Sequence, residues 1–517
     1  MDQRWLSPSR LSVVAAVAML VAGLLGPLVG DAVSFRYPQQ AIAVLLIAGW
    51  WRRPTDFTLA LDPRAWRLLL AASFIWLQLV ALTWFFGFRV NGVDFSIFDW
   101  MLESTHHGRL GYSPIYDVNH FGVHSSFILL LWVPLHELYD SPLWLVVSAP
   151  LVVWLGIFPL RRLVRLSCGG PHGAIELAAV LLWVSNSWMG RSLHGGFRPE
   201  LLLPLLTLWF LVGWIERNDE IVGLSLVSLL CTKEDSVLFV LGFVLLATLV
   251  ERWRWRQALL ITVVCLGWMA LYVGLLQPRL TGHTQAGYWA FWSDFGTTPR
   301  TVVMGMLSHP WSVVTKVATS RWWAFFLPLL LLPFRSVRAV GGLAPTVLLL
   351  GAANYEMMRE FGGYYALPLL AFSVFGVLDV WAVWRTSRAA KWGEAAVLVA
   401  FVLFAGIGGG YPRAVPVQLE VHRQLQRAWA EAKSAPIVCV QTSLFPHLGY
   451  SRRLMPLSDL DCLRRPGAVA LVHPEMDVLP HEPHVFLEVV RRWQAEFPVR
   501  ALDGGFLLIG PAAPKEP

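Results

Sequence analysis

The sequence predicts an all-α polytopic membrane protein that ends in a small α/β domain, and three features of its composition predict this class. Only 15% of the 517 residues are charged, whereas about 25% are charged in a typical soluble domain. Hydrophobic residues make up 56% of the chain, and the mean hydropathy is +0.55. The chain also contains 27 tryptophans, a residue that collects at membrane–water interfaces.

Apolar stretches recur along residues 11–410, and we predict about thirteen membrane spans. A helix needs about 20 apolar residues to cross roughly 30 Å of hydrocarbon, and several of the stretches are shorter than that. No clear small-x-small cleavage site follows the first stretch, which predicts an uncleaved helix rather than a signal peptide. The predicted spans are Leu11–Gly30, Ala41–Trp51, Leu68–Phe88, Leu143–Leu160, Ala174–Val184, Leu201–Trp214, Ile221–Cys231, Ser236–Val250, Ala258–Leu276, Trp322–Leu332, Ala339–Ala353, Leu367–Val383 and Ala395–Gly410.

The basic residues predict which ends of the spans face the cytoplasm. If the N-terminus is cytoplasmic and the spans alternate, the cytoplasmic loops are rich in Arg and the opposite short loops are richer in His, Gly and Tyr, as the positive-inside rule requires. This pattern explains the net charge of +7, and we therefore expect no nucleic-acid partner. The predicted cytoplasmic residues are Arg52, Arg53, Arg64, Arg67, Arg161, Arg162, Arg165, Arg217, Arg252, Arg254, Arg256, Arg335, Arg338, Arg385, Arg388 and Lys391.

Three consecutive ionisable residues, Lys233, Glu234 and Asp235, interrupt the apolar residues 221–250. In a single span they would face lipid at a cost of roughly 8–10 kcal/mol, and the arginines that follow would lie outside. We therefore predict that the chain turns at this triplet and returns, since Ile221–Thr232 reaches only about 18 Å as a helix. The triplet then lies in a polar pocket below the outer surface. It is either a functional site or a structural ion pair between Lys233 and a carboxylate.

Residues 412–517 contain charges and prolines but no apolar span. We therefore predict a multi-span transmembrane domain over residues 1–411 and a small α/β domain over residues 412–517, which the alternation of the spans puts outside the cytoplasm. None of the five cysteines belongs to a CxxC pair, but Cys439 and Cys462 could form a disulfide in an extracytoplasmic domain. The predicted elements are strands at Pro436–Gln441, Ala468–Val472 and Gly505–Ile509 and a helix at His484–Phe497.

The first outer loop is the richest in polar residues. Asp94 and Asp99 lie among aromatic residues at a predicted helix start on the membrane surface. A partly desolvated carboxylate has a raised proton affinity, which suits Asp94 to general-base chemistry; the alternative is that Asp94 caps the helix. Further along, His120 and His124 are four residues apart and could bind a divalent cation together with Asp117. The alternative is that these histidines pack the loop at the membrane interface.

Other outer loops contribute Arg191, Arg198 and Glu200, and the tyrosine-containing residues 359–365. A guanidinium group matches the oxygens of a phosphate in a fork, so Arg191 and Arg198 are candidate phosphate ligands. The alternative for Arg198 is a salt bridge with a nearby carboxylate.

The chain contains, in order, the segments VDFSIFDWMLESTHHGRLGY, NHFGVHSSFILLLWVPLHELYDSPLWL, FRPELLLPLLTLWFLV, LLCTKEDSVLFVLG, YYALPLL and VQTSLFPHLGYSRRLMPL. Together and in this order they resemble the bacterial and archaeal membrane-protein family catalogued as domain of unknown function 2079, over a range from about Leu68 to near the C-terminus. That family resembles a branch of the GT-C glycosyltransferases, which are multi-span enzymes with a carboxylate in the first outer loop. GT-C enzymes take sugars from polyprenyl-phosphate carriers and often end in an extracytoplasmic domain.

The resemblance implies a GT-C-like fold and assigns roles to particular positions. Asp94 takes the place of the first-loop carboxylate and is the implied catalytic base, with Asp99 as a second acidic residue that assists. Arg198 stands where the family usually has His before Pro-Glu, and His447 matches a Pro-His-Leu motif in the last domain. The implied substrate-binding residues are His120, His124, Arg198, Glu200, Lys233, Glu234 and Asp235.

The resemblance therefore predicts a glycosyltransferase of the cytoplasmic membrane that transfers a sugar from a polyprenyl-phosphate carrier to an acceptor at the outer face. Asp94 would take a proton from the acceptor, and Lys233 and Arg198 would neutralise the leaving phosphate. Its expected partners are membrane lipid and the lipid-linked sugar, and a divalent cation is the one cofactor that the residues suggest. Two other functions are compatible with the sequence. Charged residues in a broken helix also occur in transporters and flippases, although the halves show no convincing repeat, and a scaffold could present the C-terminal domain without catalysis.

Overall fold

A computed structural model describes residues 7–29, 34–52, 60–90, 92–281, 287–388, 390–406, 412–449, 451–457, 461–476 and 483–510. Within these ranges the chain is mainly helical up to residue 406, and a five-stranded sheet follows residue 436. The predicted class, an all-α membrane part followed by a small α/β part, is confirmed. The predicted spans that end at Gly30 and Gly410 extend beyond the described residues.

The helices of the membrane part follow the apolar stretches of the sequence. Before the predicted polar turn they are α1 (Pro8–Val29), α2 (Arg36–Arg52), α3 (Pro63–Phe86), α4 (Gly92–His106), α5 (His120–Val123), α6 (Val133–Leu138), α7 (Leu143–Leu155), α8 (Ile157–Cys168), α9 (Gly173–Ser185), α10 (Ser187–His194), α11 (Leu202–Glu216) and α12 (Asp219–Leu230). After it they are α13 (Ser236–Val250), α14 (Trp255–Leu271), α15 (Gln277–Thr281), α16 (Pro299–Ser308), α17 (Pro310–Thr319), α18 (Trp322–Phe326), α19 (Val337–Gly351), α20 (Glu356–Arg359), α21 (Leu367–Trp384) and α22 (Ala390–Gly406).

Each predicted span coincides with helical structure in the part of the chain that the structure describes. Six helical segments there are long and apolar enough to cross a membrane, whereas Ser236–Val250 and Val337–Gly351 are shorter apolar helices. The predicted span Trp322–Leu332 is interrupted, because Leu330 and Leu331 adopt left-handed conformations with φ of 54° each. The sequence also misses an apolar helical segment, Phe127–Leu138, in the first outer loop.

Several helices present leucine and valine side chains on the outside of the molecule. On α14 the exposed fractions of Leu260 and Val263 are 64% and 59%, and on α13 those of Leu245 and Leu249 are 64% and 62%. Soluble monomers rarely expose apolar surface as a continuous patch. These faces are therefore suited to contact lipid, in agreement with the composition.

The polar turn after α12 is a true reversal of the chain. The helix α12 ends at Leu230, and α13 begins at Ser236. The Asp219 carboxylate, at the start of α12, accepts a hydrogen bond of 2.7 Å from Gln257 in the first turn of α14, the helix that follows α13. Since the two ends of the α12–α13 segment lie side by side, its tip must lie at the opposite end, as the sequence predicts. Twelve residues of α12 span only about 18 Å, less than a bilayer core of roughly 30 Å.

Among the described residues, several arginines predicted to face the cytoplasm lie at helix ends and form ion pairs between neighbouring helices. In α9 every residue is buried, and its Glu176 accepts bonds of 2.7 and 2.8 Å from Arg161 and Arg165. Arg338 bonds Glu251 at 2.6 Å and also pairs with Asp379. These pairs neutralise charge where helices leave the apolar region, which lowers the desolvation cost of each ion.

Helices α13 and α19 cross in close contact through two glycines. A Cβ atom at Gly242 would overlap the carbonyl oxygen of Gly341, and one at Gly341 would overlap the carbonyl oxygen of Gly242. Helix–helix packing in membranes uses small residues in this way, because backbone contact replaces the hydrophobic drive that lipid removes. The crossing fixes α13, and with it the polar turn at its start.

The C-terminal part is a small α/β unit around one sheet. The strand order is β4 (Leu454–Pro456), β3 (Ile437–Val440), β5 (Ala468–Val472), β7 (Leu507–Ile509), β6 (Val499–Ala501). Strand β3 is parallel to β4 and β5, and β7 is antiparallel to β5 and β6. The predicted strands and helix are confirmed, and a disulfide joins Cys439 to Cys462. The elements are α23 (Leu419–Ala432), β3 (Ile437–Val440), β4 (Leu454–Pro456), β5 (Ala468–Val472), α24 (Pro483–Glu496), β6 (Val499–Ala501) and β7 (Leu507–Ile509); a hairpin of β1 (Tyr112–Ser113) and β2 (Val118–Asn119) lies in the first outer loop.

The α/β unit packs against the end of α3 and the side of α4. The backbone N–H of Gln418 donates to Phe86 O at 2.9 Å, and the rings of Trp100 and Phe445 lie 5.0 Å apart. A Cβ atom at Gly92 would overlap the carbonyl oxygen of Thr442, so the first turn of α4 contacts the backbone of the α/β unit directly. The unit therefore lies on the side of the bundle opposite the arginine-rich ends.

The glycine contact between α13 and α19 predicts the outcome of a simple substitution. Gly242→Ala should lower the free energy of unfolding by about 1–3 kcal/mol, because the added methyl group has no space. Gly223→Ala is the matched control, since a Cβ atom there meets nothing within 4 Å. That variant should be neutral or stabilising by up to about 1 kcal/mol, the helix-propensity gain of alanine over glycine. Thermal unfolding of the two variants in detergent measures the difference in stability. Equal unfolding midpoints would contradict the prediction.

Candidate functional site

Asp94 lies in the first turn of α4 and forms an ion pair with Arg198. A carboxylate in the first turn of a helix is stabilised by the helix dipole. The Asp94 side chain is 33% exposed, whereas Arg198 is only 9% exposed. The alternative that the sequence raised for Arg198, a salt bridge with a carboxylate, is therefore observed. The pair leaves the carboxylate facing an accessible space and its cation buried behind it.

Arg198 and Glu200 enter the site from the loop that precedes α11. The Arg198 guanidinium lies 4.0 Å from the centre of the Tyr364 ring, a cation–π contact. Two residues later, Glu200 accepts a bond of 3.0 Å from the Lys233 ammonium group. Their side chains are 11% and 13% exposed. The alternative that the sequence raised for Lys233, an ion pair with a carboxylate, is thus also observed. The carboxylate is that of Glu200, which lies in a different loop.

The polar turn is held by the segment that follows α5. Glu234 accepts a bond of 3.0 Å from the backbone N–H of Ser125 and pairs with His124 Nδ1 at 2.9 Å. The backbone N–H of Ile128 donates to Cys231 O at 2.9 Å. Asp235 lies 4.0 Å from Lys233, at the edge of this arrangement. The turn therefore has a fixed shape, set by a part of the chain more than one hundred residues away.

His120 lies beside the turn in a buried position. Its ring centre is 6.1 Å from that of His124 and 5.3 Å from that of Phe98, which lies one helical turn after Asp94. Its Nε2 atom has no hydrogen-bond partner among the described residues. The first loop, the Arg198 loop and the polar turn thus converge, and we call Asp94, His120, His124, Arg198, Glu200, Lys233, Glu234 and Asp235 the polar cluster.

Asp99 and Asp117 lie away from the polar cluster. Five residues of helix separate Asp99 from Asp94 by about 140° around α4, and Asp99 Oδ1 faces His136 Nε2 at 3.7 Å. Burial, and then the nearby Asp140 and Glu103 carboxyl groups, raise the pKa of Asp99 to about 8. Asp117 bonds the Tyr112 hydroxyl across the β1–β2 hairpin. The structure therefore does not bring Asp117 together with His120 and His124 as a three-ligand metal group.

Three further polar residues, His194 and the predicted Arg191 and His447, lie outside the polar cluster. The His194 ring stacks on Trp84 with 3.6 Å between the ring centres. His447 lies between Phe85 and Phe88, with ring centres 4.4 and 4.1 Å away, and burial lowers its pKa to about 3. Arg191 is exposed. His447 therefore belongs to the contact between the α/β unit and the membrane part.

Tyr364 and Tyr365 are members of the site to which the sequence assigned no role, although they belong to the outer-loop residues 359–365. Their hydroxyl oxygens lie 2.9 Å apart, and Tyr364 supplies the ring under Arg198. The repeated tyrosine in the YYALPLL segment is the signal from which they could have been found. The two tyrosine rings pack on one side of the Asp94–Arg198 ion pair.

The comparisons with known proteins give a family and two remote structural likenesses. Residues 85–460 match the family described as "Predicted membrane protein (DUF2079)". Nothing among the curated proteins matches. The chain is 13% identical to ArnT from Cupriavidus metallidurans bound to undecaprenyl phosphate, with a TM-score of 0.43 over 87% of this chain and 98% of that one. The apo form of ArnT gives 12% identity and a TM-score of 0.42 over 86% and 98%. Both likenesses are too remote to bear on a reaction or a substrate.

The buried Lys233–Glu200 pair predicts a measurable coupling. Lys233→Met should lower the free energy of unfolding by about 3–5 kcal/mol, because it leaves the Glu200 carboxylate buried without its main cation. Adding Glu200→Gln should recover most of that loss. Thermal unfolding of the single and double variants in detergent measures both effects.

Arg321→Gln is the control for this coupling, since Arg321 pairs with Glu360 at 2.7 Å on the exposed surface. It should change the stability by less than about 1 kcal/mol. A double variant as unstable as Lys233→Met alone would show that the two side chains are not coupled.

Proposed function

The chain belongs to the family of predicted membrane proteins DUF2079, and we propose that it is a membrane glycosyltransferase whose donor is a polyprenyl-phosphate sugar. In this proposal the sugar passes to an acceptor hydroxyl at the outer face of the cytoplasmic membrane, and Asp94 is the base. The proposal starts from the family motifs, and it is supported by the convergence of those motifs in one polar cluster.

The observation that carries the proposal is the asymmetric burial of the Asp94–Arg198 pair. The Asp94 carboxylate is one-third exposed, while the two cations of the cluster, Arg198 and Lys233, are each about nine-tenths buried. A base must reach a proton on an incoming acceptor, whereas cations that stabilise a leaving anion work best where water is excluded. The polar cluster places an accessible carboxylate beside cations that are shielded from water.

The reaction would be a single displacement at the anomeric carbon of the sugar. Asp94 accepts the proton of the acceptor hydroxyl, and the acceptor oxygen bonds to the anomeric carbon. The bond between that carbon and the phosphate oxygen breaks, and its electron pair stays on the phosphate. Arg198 and Lys233 then neutralise the polyprenyl phosphate, and an incoming phosphate that binds Arg198 would free Asp94 to act as the base.

The charge of the cluster constrains how a phosphate can enter it. The carboxylates of Asp94, Glu200, Glu234 and Asp235 outnumber the cations Arg198 and Lys233. A lipid phosphate therefore needs additional positive charge, either a proton on His124, which already pairs with the Glu234 carboxylate, or a divalent cation that enters with the donor. Assays of this protein should accordingly be run with and without Mg²⁺ or Mn²⁺.

The outer-face location is supported by the disulfide between Cys439 and Cys462. Disulfides persist in oxidising compartments and are rare in the cytosol. The unit that carries this disulfide contacts α3 and α4 next to Asp94. The polar cluster and the disulfide therefore share one side of the membrane in this proposal, and the arginine-rich ends lie on the cytoplasmic side.

We predict that Asp94→Asn lowers sugar transfer by about 10²–10⁴-fold, the usual contribution of a general base. The assay follows the release of polyprenyl phosphate from a radiolabelled pool of bacterial lipid-linked sugars by the full chain in nanodiscs. Binding of undecaprenyl phosphate should persist in Asp94→Asn and weaken in Arg198→Gln, because only the second change removes an anion partner.

Glu360→Gln is the matched control for Asp94→Asn, since it also removes a paired carboxylate but lies in the Arg321 pair outside the polar cluster. Its transfer rate should equal that of the unchanged protein. Normal transfer by Asp94→Asn would exclude Asp94 as the base. Unchanged binding of undecaprenyl phosphate by Arg198→Gln would exclude Arg198 from the phosphate site.

A further inference from the structure

A second group of polar side chains lies on the side of α4 that faces away from Asp94. One ligand atom each from Glu103, His136 and Asp140 lies within 4.8 Å of the others. Glu103 and His136 are buried, whereas Asp140 is exposed. Asp99 adjoins the group through His136. The family motifs assign no metal to these three residues, and the proposed transfer reaction does not use them.

The buried atoms of this group lack the partners that burial normally requires. Both ring nitrogens of His136 are without a hydrogen bond in the described part of the chain, as are Glu103 Oε2 and Asp99 Oδ1. The His136 side chain is 1% exposed. Buried polar atoms without partners cost about 1–3 kcal/mol each, so an arrangement with four of them needs an explanation.

The charge of the group is also one-sided. Asp99, Glu103 and Asp140 are three carboxyl groups, and among the described residues no Lys or Arg forms an ion pair with any of them. The Oε1 atom of Glu103 bonds exposed His107 at 2.8 Å, and the Asp140 carboxyl group also interacts with the Glu103 side chain. Its Oε2 atom is left facing the rest of the group.

The spacing of the atoms suits a shared cation better than direct contact. Nδ1 of His136 lies 3.9 Å from Glu103 Oε2, which is too long for a hydrogen bond of about 2.7–3.2 Å. Two ligands that each lie about 2.0 Å from one tetrahedral zinc ion are about 3.3 Å apart. The observed separation therefore needs only a small contraction around an ion.

We propose that Glu103, His136 and Asp140 form a binding site for a divalent transition metal of the zinc class. One imidazole nitrogen and two carboxylates are a donor set that zinc uses in proteins, with water in the remaining position. The exposed Asp140 gives the ion a path from solvent. The site would fasten the loop after α6 to α4, the helix that carries Asp94 at its other end.

Asp99 completes this arrangement as a positioning residue. Histidines that bind a metal through one nitrogen usually give the N–H of the other to a carboxylate, which fixes the ring. Here His136 Nδ1 faces Glu103 and Nε2 faces Asp99 Oδ1 at 3.7 Å. The buried carboxyl of Asp99 thereby gains a role separate from that of Asp94.

The test measures metal binding by the purified full chain in detergent with its purification tag removed. After exposure to Zn²⁺ and gel filtration, elemental analysis should find about one zinc ion per chain. His136→Ala and Asp140→Asn should each lose at least about tenfold in zinc affinity, and Asp99→Asn should lose about 10–100-fold. Co²⁺ should give visible d–d absorption in the unchanged protein and not in His136→Ala.

His309→Ala is the matched control, because His309 is an exposed histidine that contacts only its own helix end. It should bind zinc as the unchanged protein does. If His136→Ala does not fold, Asp140→Asn decides the question, since Asp140 is exposed and its loss leaves no buried cavity. Absence of bound zinc in the unchanged protein, or equal binding by Asp140→Asn, would overturn the proposal, whatever the outcome for sugar transfer.

Discussion

Pairing of buried charge is the constraint on which the rest of this structure depends. Lys233 and Glu234 lie at the tip of a helical hairpin. Because each of its helices is shorter than the hydrocarbon core of a bilayer, the tip does not reach bulk water at the opposite membrane surface. Burying an isolated ion there has a large desolvation penalty, and partners of opposite charge from distant segments of the chain offset it. Glu200 pairs with Lys233, and His124 pairs with Glu234. These ion pairs hold the first outer loop, the Arg198 loop and the polar turn together.

The same constraint gives the site its chemical character. Lys233 and Arg198 are each fixed by a carboxylate, and both cations interact electrostatically with Tyr364. The close contact between Gly242 and Gly341 holds the hairpin against α19, and the α/β unit holds the first turn of α4 through the backbone at Gly92. The fold therefore fixes the Asp94 end of α4 and the polar turn with backbone contacts, which is the rigidity that a preorganised charged site requires.

Sequence reasoning predicted the membrane class, the reversal at Lys233–Asp235, and three strands and one helix of the α/β unit, because each depends on local pattern or on the cost of burying charge. It missed α23 and the short strands β4 and β6. The assignment of Asp94, His120 and Glu234 to one site came only from the resemblance to the family. Sequence reasoning did not predict which carboxylate serves which cation, since ion-pair partners such as Glu200 and Lys233 are set by packing between distant loops. The separation of Asp99 from Asp94 follows from helix geometry and was available from the spacing alone. The Glu103–His136–Asp140 group was not predicted, although its members lie in two of the family segments, because nothing in the sequence pairs Glu103 with His136 and Asp140.

The central claim is that the polar cluster receives a lipid phosphate between its two buried cations. The most direct measurement is a cryo-electron microscopy structure of the full chain in nanodiscs that contain undecaprenyl phosphate and Mg²⁺. The account predicts phosphate density within hydrogen-bond distance of Arg198 and Lys233, with the Asp94 carboxylate released from Arg198. A map in which the lipid phosphate lies elsewhere, with the Asp94–Arg198 pair unchanged, would contradict it.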